Sequence, residues 1–374
     1  MGPSRAALVA DVAALIARLA DGSRDDAARD QLLEEVLAWQ RARVEPYGRI
    51  VSSWEAAEAG PSELSLLRAP AVPTDVFRFA RVAAHSAELD VRVFRTSGTT
   101  AQGRGEHCLR DLSLYEKAAE AAARHALFPD LGRDGAMALC VLGPRDGVAR
   151  DSSLSFMLDR FDRWFGQGQS TFAWRGDARS GELDVEALVT ALARAQQSGE
   201  PLALLGTSFA FVHADDALGI KRFSLPTGSR LMQTGGFKGR SREVEPVAMR
   251  AMLRARYGLR DAQIVAEYGM TELSSQMYET TLRDALRGGE IGPRRLWVPG
   301  WVRATPVDPE TLAGVPEGEV GILRIDDLAN LDTACAIQTS DRARRVGDGI
   351  EVLGRAPGAT PRGCSIAVDA ALGG

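Results

Sequence analysis

The residues of this chain best suited to chemistry lie between Val91 and His107, VRVFRTSGTTAQGRGEH. An alternating stretch, Val91 to Phe94, runs into Thr96-Ser97-Gly98-Thr99-Thr100, and Gly103 and Gly105 follow. Hydroxyls around a glycine, launched from a strand, make a cradle of donors for phosphate oxygens, because glycine permits close backbone approach and positive φ. The Walker spacing is absent, and an ordinary Ser/Thr-rich turn would have the same composition. Two further Gly/Thr-rich stretches each follow a predicted strand: Thr234-Gly235-Gly236-Phe237-Lys238-Gly239-Arg240 and Glu267-Tyr268-Gly269-Met270-Thr271-Glu272. A fourth polar group, Thr339-Ser340-Asp341-Arg342, precedes Gly354-Arg355. Ligands of open α/β sheets sit beyond the carboxyl ends of strands. Three such loops at one edge therefore predict a nucleotide site.

The elements that must carry these loops are readable from periodicity. Apolar residues at helical spacing predict helices over 6–19 and 26–43, the second with Asp25 and Asp26 at its acidic start. Pro46-Tyr47-Gly48 then ends that section. Another helix is predicted over 111–127. The apolar runs 136–142 and 201–205 read as strands buried on both faces, with a helix capped by Asp184 between them. A strand over 229–233, a helix opening at Ser241, and a strand over 262–266 complete an α/β alternation. Beyond it come short strands over 296–298, 302–305, 319–325, 334–339 and 350–353, with Gly, Pro and Asp in their turns. The expected organisation is a helical segment over 1–90, an α/β part over 91–290, a β-rich subdomain over 291–355, and a tail over 356–374.

Composition narrows the class. With 374 residues and 45 % apolar content the chain can bury a full core, and a net charge of −5 argues against a general nucleic-acid partner. Lys117, Lys221 and Lys238 are its only lysines. Cys108, Cys140, Cys335 and Cys364 are widely spaced, which fits neither a disulfide framework nor a clustered zinc site. The first three read as small buried hydrophobes. No apolar run approaches a membrane span, and the N-terminus reads as an amphipathic helix, not a leader; the expectation is a cytoplasmic protein with reduced thiols.

In order along the chain, TSGTT, the Gly-Gly-aromatic loop, YGMTE, Thr339-x-Asp341 and Gly354-Arg355 resemble the adenylate-forming superfamily of acyl-CoA synthetases, luciferases and peptide-synthetase adenylation domains. More narrowly, the chain resembles the acyl-protein synthetase (LuxE-type) family of the bacterial fatty-acid reductase complex. The residues that carry this match are WQ…PYG at Trp39 to Gly48, FRTSGTT, TGGFKGRSRE from Thr234, and RGCS from Arg362. The resemblance implies the large α/β domain of an adenylate-forming enzyme with a β-rich subdomain, without the usual small C-terminal domain. It implies ATP and Mg²⁺ as cofactors. Thr96, Ser97, Gly98, Thr99 and Thr100 would cradle the β- and γ-phosphates. Gly235, Gly236 and Phe237 would border the adenine, with Tyr268 and Gly269 beside it. Thr271 would touch the α-phosphate, and Glu272 would bind Mg²⁺. Asp341 would hold the ribose hydroxyls, with Arg355 close to ribose or phosphate. In the superfamily the region of Phe209, Phe211 and His213, with Met270, helps hold the acid, although such an apolar run equally suits an ordinary core segment. By its own composition the segment from Asp151 to Met157 could form another pocket wall.

Two departures sharpen the expectation. Where the superfamily carries a lysine near the end of its phosphate loop, Arg104 and His107 stand here, so Arg104 enters the catalytic set and His107 becomes a possible phosphate ligand. The C-terminal lysine of the superfamily has no counterpart, since the last lysine is Lys238. In the family resembled, a cysteine near the C-terminus takes the acyl group as a thioester. Cys364 is its match, on a tail rich in Gly and Pro, with Arg362 able to favour the thiolate. His85 and His125 read as surface or capping residues. The expected function is an acid–thiol ligase that activates a carboxylic acid, in particular a fatty acid, as acyl-adenylate. The acyl group would pass to Cys364 and then to a reductase, a carrier protein or CoA. The alternatives are an acyl- or aryl-CoA ligase or acyltransferase of specialised metabolism, and a non-catalytic binding protein of the same fold.

Overall fold

The computed structural model describes residues 2–57, 66–97, 103–178, 180–235, 244–289, 291–356 and 371. In chain order the first helices are α1 (Arg5–Leu19), α2 (Asp26–Arg41) and α3 (Glu45–Ala57). The short strand β1 (Val72–Pro73), the strands β2 (Arg92–Arg95) and β3 (Glu106–Leu109), and helix α4 (Ser113–Ala126) follow. Next are β4 (Ala138–Leu142), α5 (Ser153–Phe165), β5 (Thr171–Phe172), β6 (Trp174–Arg175), β7 (Glu182–Leu183) and α6 (Val185–Ser198). Then come β8 (Leu202–Thr207), α7 (Ser208–Leu218), β9 (Arg230–Thr234), α8 (Pro246–Tyr257), β10 (Ile264–Tyr268), β11 (Met277–Glu279) and α9 (Thr281–Leu286). The last strands are β12 (Leu296–Trp297), β13 (Val302–Val307), β14 (Val320–Asp327), β15 (Ala336–Val346) and β16 (Gly349–Arg355). The chain divides into two compact units: residues 1–121, 270–276 and 297–374 form the first, residues 122–269 and 277–296 the second.

The second unit is built on a parallel sheet in the order β5-β4-β8-β9-β10, with β11 antiparallel on β10. Its strands are the continuous apolar runs of the sequence, and they are buried because helices cover them. Leu204, Leu231 and Ile264 form a core with Leu188 and Leu192 of α6, Phe211 of α7, and Leu253 and Tyr257 of α8. Asp184 caps α6 by accepting the Ala187 N–H at 2.9 Å, and Gly199 ends it in the left-handed region. Two helices stand where the sequence was read as pocket-lining segments. Residues 153–165 form α5, capped by the Ser152 hydroxyl, with Phe156, Phe161 and Phe165 fully buried. Residues 208–218 form α7, which leaves β8 without a linker because Thr207 both ends the strand and caps the helix.

The first unit combines α1–α3 with an antiparallel meander β13-β14-β15-β16, on which β1 lies parallel to β15. Pro46-Tyr47-Gly48, expected as a break, lies in the first turn of α3. Proline's missing N–H costs nothing there. Gly48 is required by contact: a Cβ at this position would lie 2.6 Å from the Arg41 carbonyl oxygen of α2. The buried side chain of Gln40 latches α2 to the meander. Its amide donates to the carbonyls of Asn330 and Leu331 at 2.8 and 2.9 Å, and its oxygen accepts the Cys335 N–H at 2.9 Å. Asp326 is fully buried between Arg324 and Arg303, each 2.8 Å away, and these arginines also bind the Ala69 and Leu67 carbonyls. Such a buried charge is tolerable because it is paired and hydrogen-bonded. Replacing Gly48 by Ala is expected to destabilise the protein by about 1–3 kcal/mol, the usual cost of overpacking. Gly132→Ala, where nothing lies within 4 Å, is the control; thermal melts should lower the midpoint for the first substitution and leave the second near wild type.

Candidate active site

The motifs found in the sequence fall in both units. In the first, β2 and β3 pair antiparallel, with Phe94 opposite His107 and Arg95 opposite Glu106. The opening loop is therefore a hairpin loop, not a loop at the edge of the parallel sheet. Its base is closed twice at the same place. The Thr96 N–H donates to the Gly105 carbonyl at 3.0 Å, and the Gly105 N–H donates to the Thr96 hydroxyl at 3.0 Å. Gly105 is close-packed, since a Cβ there would lie 3.1 Å from Thr96 Cγ2. Arg104, expected to replace a catalytic lysine, donates from Nε to the Thr96 carbonyl and from Nη2 to the Arg95 carbonyl at 3.0 Å. Its guanidinium laces the two ends of the loop. Gly98, Thr99 and Thr100 lie outside the described residues.

The segment 270–276 carries Met270, Thr271 and Glu272, and it is pinned by its backbone. Asp327 is fully buried and accepts the N–H groups of Ser274 and Ser275 at 3.1 and 2.8 Å and the Ser275 hydroxyl at 2.7 Å. Burial nevertheless pushes the Asp327 carboxyl up from the ordinary aspartate value, with these donors opposing the rise. Asn330 donates to the Glu272 carbonyl at 2.8 Å and to the Ala334 carbonyl at 3.0 Å. His107, considered as a phosphate ligand, is fully buried instead. Its Nδ1 lies 2.7 Å from the Thr271 carbonyl and its Nε2 lies 3.0 Å from the Thr333 hydroxyl. Glu272 itself is buried. Among the described residues no group of three or more His, Cys, Asp or Glu side chains could hold a metal.

Asp341 and Arg355 are register partners across β15 and β16, with Arg355 Nε 3.8 Å from Asp341 Oδ1. A register shift between Asp341 and Ala343 marks a bulge beside the pair. The Asp341 N–H donates to the Thr339 hydroxyl at 3.0 Å, and that hydroxyl donates to the Leu323 carbonyl at 2.8 Å. The Thr339-x-Asp341 spacing thus orients Asp341 from below.

In the second unit, Thr207, Thr234 and Glu267 are aligned on neighbouring strands at the carboxyl edge of the parallel sheet. β10 extends through Tyr268, so Glu267 and Tyr268 are strand residues and not the opening of a loop. Glu267 is buried and bonded to the Thr234 hydroxyl. Burial pushes its carboxyl up to about 7, against the bond from Thr234. Gly235, with φ +68, follows Thr234, and the Ser208 hydroxyl donates to its carbonyl at 2.9 Å. Of the four residues assigned to the acid, the three on α7 divide. Phe209 and His213 stack one helical turn apart, centroids 6.3 Å, on the outer side of α7. Phe211 is fully buried against Tyr257 and belongs to the core. Gly236, Phe237 and Cys364 lie outside the described residues, as does the expected helix start at Ser241.

The remaining titratable groups are structural. Of His85 and His125, expected as surface or capping residues, His125 is buried and meets Arg283, and His85 is half-buried with its side chain covered and Nε2 2.9 Å from Asp90. Burial pushes Cys108 up to about 11 and Cys140 up to about 12, and Cys335 well above the usual thiol value, which makes all three poor nucleophiles. The anchors Gln40, Asp327 and Asn330 were not found from sequence as site residues. Gln40 had a signal, the WQ…PYG match, but its partners lie about three hundred positions away.

The α/β architecture, with the motifs set at strand ends and on the β-rich sheet, is the fold of adenylate-forming enzymes. It is similar to a 2-hydroxyisobutyryl-CoA ligase in the post-adenylation state with 2-HIB-AMP, at a TM-score of 0.61 and 15 % identity over 88 % of this chain and 67 % of that one. It is also similar to ATP-bound MatB from Rhodopseudomonas palustris, at 0.50 and 15 %, over 73 % of this chain and 49 % of that one. Among curated proteins, the long-chain-fatty-acid–luciferin-component ligase of Aliivibrio fischeri is 22 % identical over 317 residues, 84 % of this chain and 78 % of that protein. Its counterpart from Vibrio harveyi is 22 % identical over 203 residues, 51 % of this chain and 50 % of that protein. The matched part thus spans about half the length of the Vibrio harveyi relative and of MatB. The family model described as acyl-protein synthetase, LuxE, matches residues 63–373, and the chain belongs to that family. No helix among the described residues is long and apolar enough to cross a membrane.

Because the Glu267 carboxyl is held near 7, the folded state binds its proton between about pH 4.5 and 7 where the unfolded chain does not. Its contribution to stability is complete below that window and is lost as pH rises through it, a change on the order of 3 kcal/mol. Glu267→Gln, which keeps the shape and removes the charge, is expected to raise the melting midpoint by a few degrees at pH 8 and to leave it unchanged at pH 4. Melts across that range check this.

Proposed function

We propose that this chain activates a carboxylic acid with ATP and passes the acyl group to a thiol. Family membership over residues 63–373 carries the reading. In the first step a carboxylate oxygen attacks the α-phosphorus, pyrophosphate leaves, and an acyl-adenylate forms. In the second a thiolate attacks the acyl carbonyl, AMP leaves, and a thioester forms, the thiol proton going to solvent. The barrier of the first step is largely charge repulsion, which pre-aimed donors and positive charge relieve. Thr96 to Thr100 would face the β- and γ-phosphates, Thr271 the α-phosphate, and Asp341 the ribose hydroxyls. Tyr268, Gly235, Gly236 and Phe237 would border the adenine.

Glu272 suits a Mg²⁺ ion, because this hard cation takes one or two carboxylates and completes its shell with phosphate oxygens and water. Bound there, the ion would neutralise charge on the triphosphate. Arg104 would act through the hairpin, holding its ends in register, so a lysine at the loop end is not needed for that purpose. Phe209, His213 and Met270 would border the acid. The name of the curated relatives, long-chain-fatty-acid–luciferin-component ligase, supports a fatty acid as its class. Cys364 would be the first acyl acceptor, and a reductase or carrier protein the second. Direct transfer to CoA is the second reading, supported by the CoA-ligase name of the 2-hydroxyisobutyryl-CoA structure.

ATP–pyrophosphate exchange across a panel of acids tests the first step, and intact-mass analysis with ATP and acid tests the second. Cys364→Ser is expected to keep exchange and lose the added acyl mass. An acyl mass that persists in that variant, or CoA thioester formed by it at the wild-type rate, would remove Cys364 from the route. Glu272→Gln is expected to lower exchange by about a hundredfold, the scale of removing one transition-state stabiliser.

A further inference from the structure

His107 has a tautomer dictated by its partners. A carbonyl oxygen only accepts, so the ring must donate from Nδ1 to Thr271, and Nε2 is left to accept the Thr333 hydroxyl proton. The ring is fully buried, and burial pushes its pKa down to about 4, so it is neutral at physiological pH. Both nitrogens are satisfied, which removes it from ligand binding and leaves the question of why a polar ring is kept there.

Its position answers that. His107 lies two residues beyond Gly105, which closes the base of the opening hairpin loop on Thr96. Its partner, the Thr271 carbonyl, belongs to the peptide bond that joins Thr271 to Glu272. Apart from bonds within residues 270–276 themselves, the other hydrogen bonds described for the 271–275 backbone come from Asp327 and Asn330, on the β-rich side of the unit. The His107 bond comes from the hairpin. Phe77 meets the ring edge-on, with centroids 6.3 Å apart.

We propose that His107 is a positioning residue that sets the spacing between the hairpin base at Thr96 and Gly105 and the pair Thr271–Glu272, through the Nδ1–H bond to Thr271. This rests on the reading of both segments as parts of one nucleotide site. A bond between two segments that must grip the same triphosphate fixes their separation before the nucleotide arrives, and small misplacements of such groups are costly. The imidazole does this without bringing charge, because its second nitrogen is capped by Thr333.

Calorimetric titration with ATP and Mg²⁺ tests the proposal on the full chain without needing the acid. His107→Ala is expected to weaken ATP binding by about tenfold, within the range that an ångström-scale displacement can cost. His107→Asn places an amide N–H where Nδ1 stands and is expected to recover affinity to within about threefold of wild type. His107→Gln reaches toward Thr333 instead and should stay as weak as alanine, whereas Thr333→Val should bind as wild type does. A purely structural ring would lower the melting midpoint alike in the asparagine and glutamine variants and leave ATP affinity equal between them, and that result overturns the proposal. Wild-type protein that binds no ATP would instead overturn the nucleotide reading beneath it. ATP bound equally by wild type and His107→Ala would overturn the positioning role alone.

Discussion

The first unit depends on one buried polar cluster, residues 327–335. Asp327 holds the backbone of Ser274 and Ser275, Asn330 holds the Glu272 carbonyl, and Gln40 holds the carbonyls of Asn330 and Leu331 together with the Cys335 N–H. Each of these side chains is buried, so an unmade bond would cost its full desolvation penalty. Gln40 and Asp327 have their polar atoms bonded and Asn330 uses its amide N–H groups, while Asn330 Oδ1 is buried with no hydrogen-bond partner among the described residues. These bonds hold the backbone of the segment bearing Thr271 and Glu272. Helix α2, at first sight remote from any chemistry, is part of this arrangement through Gln40.

The second unit uses a different principle. Its parallel strands are held largely by apolar burial, and at their carboxyl edge Thr207, Thr234 and Glu267 share a polar row. Glu267 is the exception to an otherwise apolar strand: a carboxyl buried with one hydroxyl for company prefers to keep its proton. Hydrogen bonds from Ser208 to Gly235 and Gln233 then join the start of α7 to the end of β9. A loop whose first residue is fixed in this way begins from a defined direction.

Much of this was legible in the sequence, for reasons that also explain what was not. Strands β4 and β8 of the parallel sheet are apolar runs with glycine beside them, and the helices α1, α2, α4 and α6 show helical spacing, so local pattern suffices there; the two-residue β5 has no such pattern. Helix α3 was hidden because Pro46-Tyr47-Gly48 has the composition of a turn; only the contact of Gly48 with Arg41 explains the glycine. Helices α5 and α7 were hidden by aromatic residues that suit a pocket as well as a core. The motifs of the site were visible because each is short and contiguous. Their supports were not, since Asp327, Asn330 and His107 look ordinary in sequence and gain meaning only from partners far along the chain. The histidines went wrong for the same reason: His85, His107 and His125 are defined by what surrounds them, and composition does not reveal that.

The rung that joins Asp341 to Arg355 also fixes a length. Beyond Arg355 the Ala356 N–H still donates to the Ser340 carbonyl at 2.9 Å, the last ladder bond among the described residues. Cys364 follows eight residues further on. A fully extended chain of that length spans about 28 Å. An acyl group passed to Cys364, as proposed above, would have to come within that radius of the end of β16, the strand whose Arg355 pairs with Asp341 on β15.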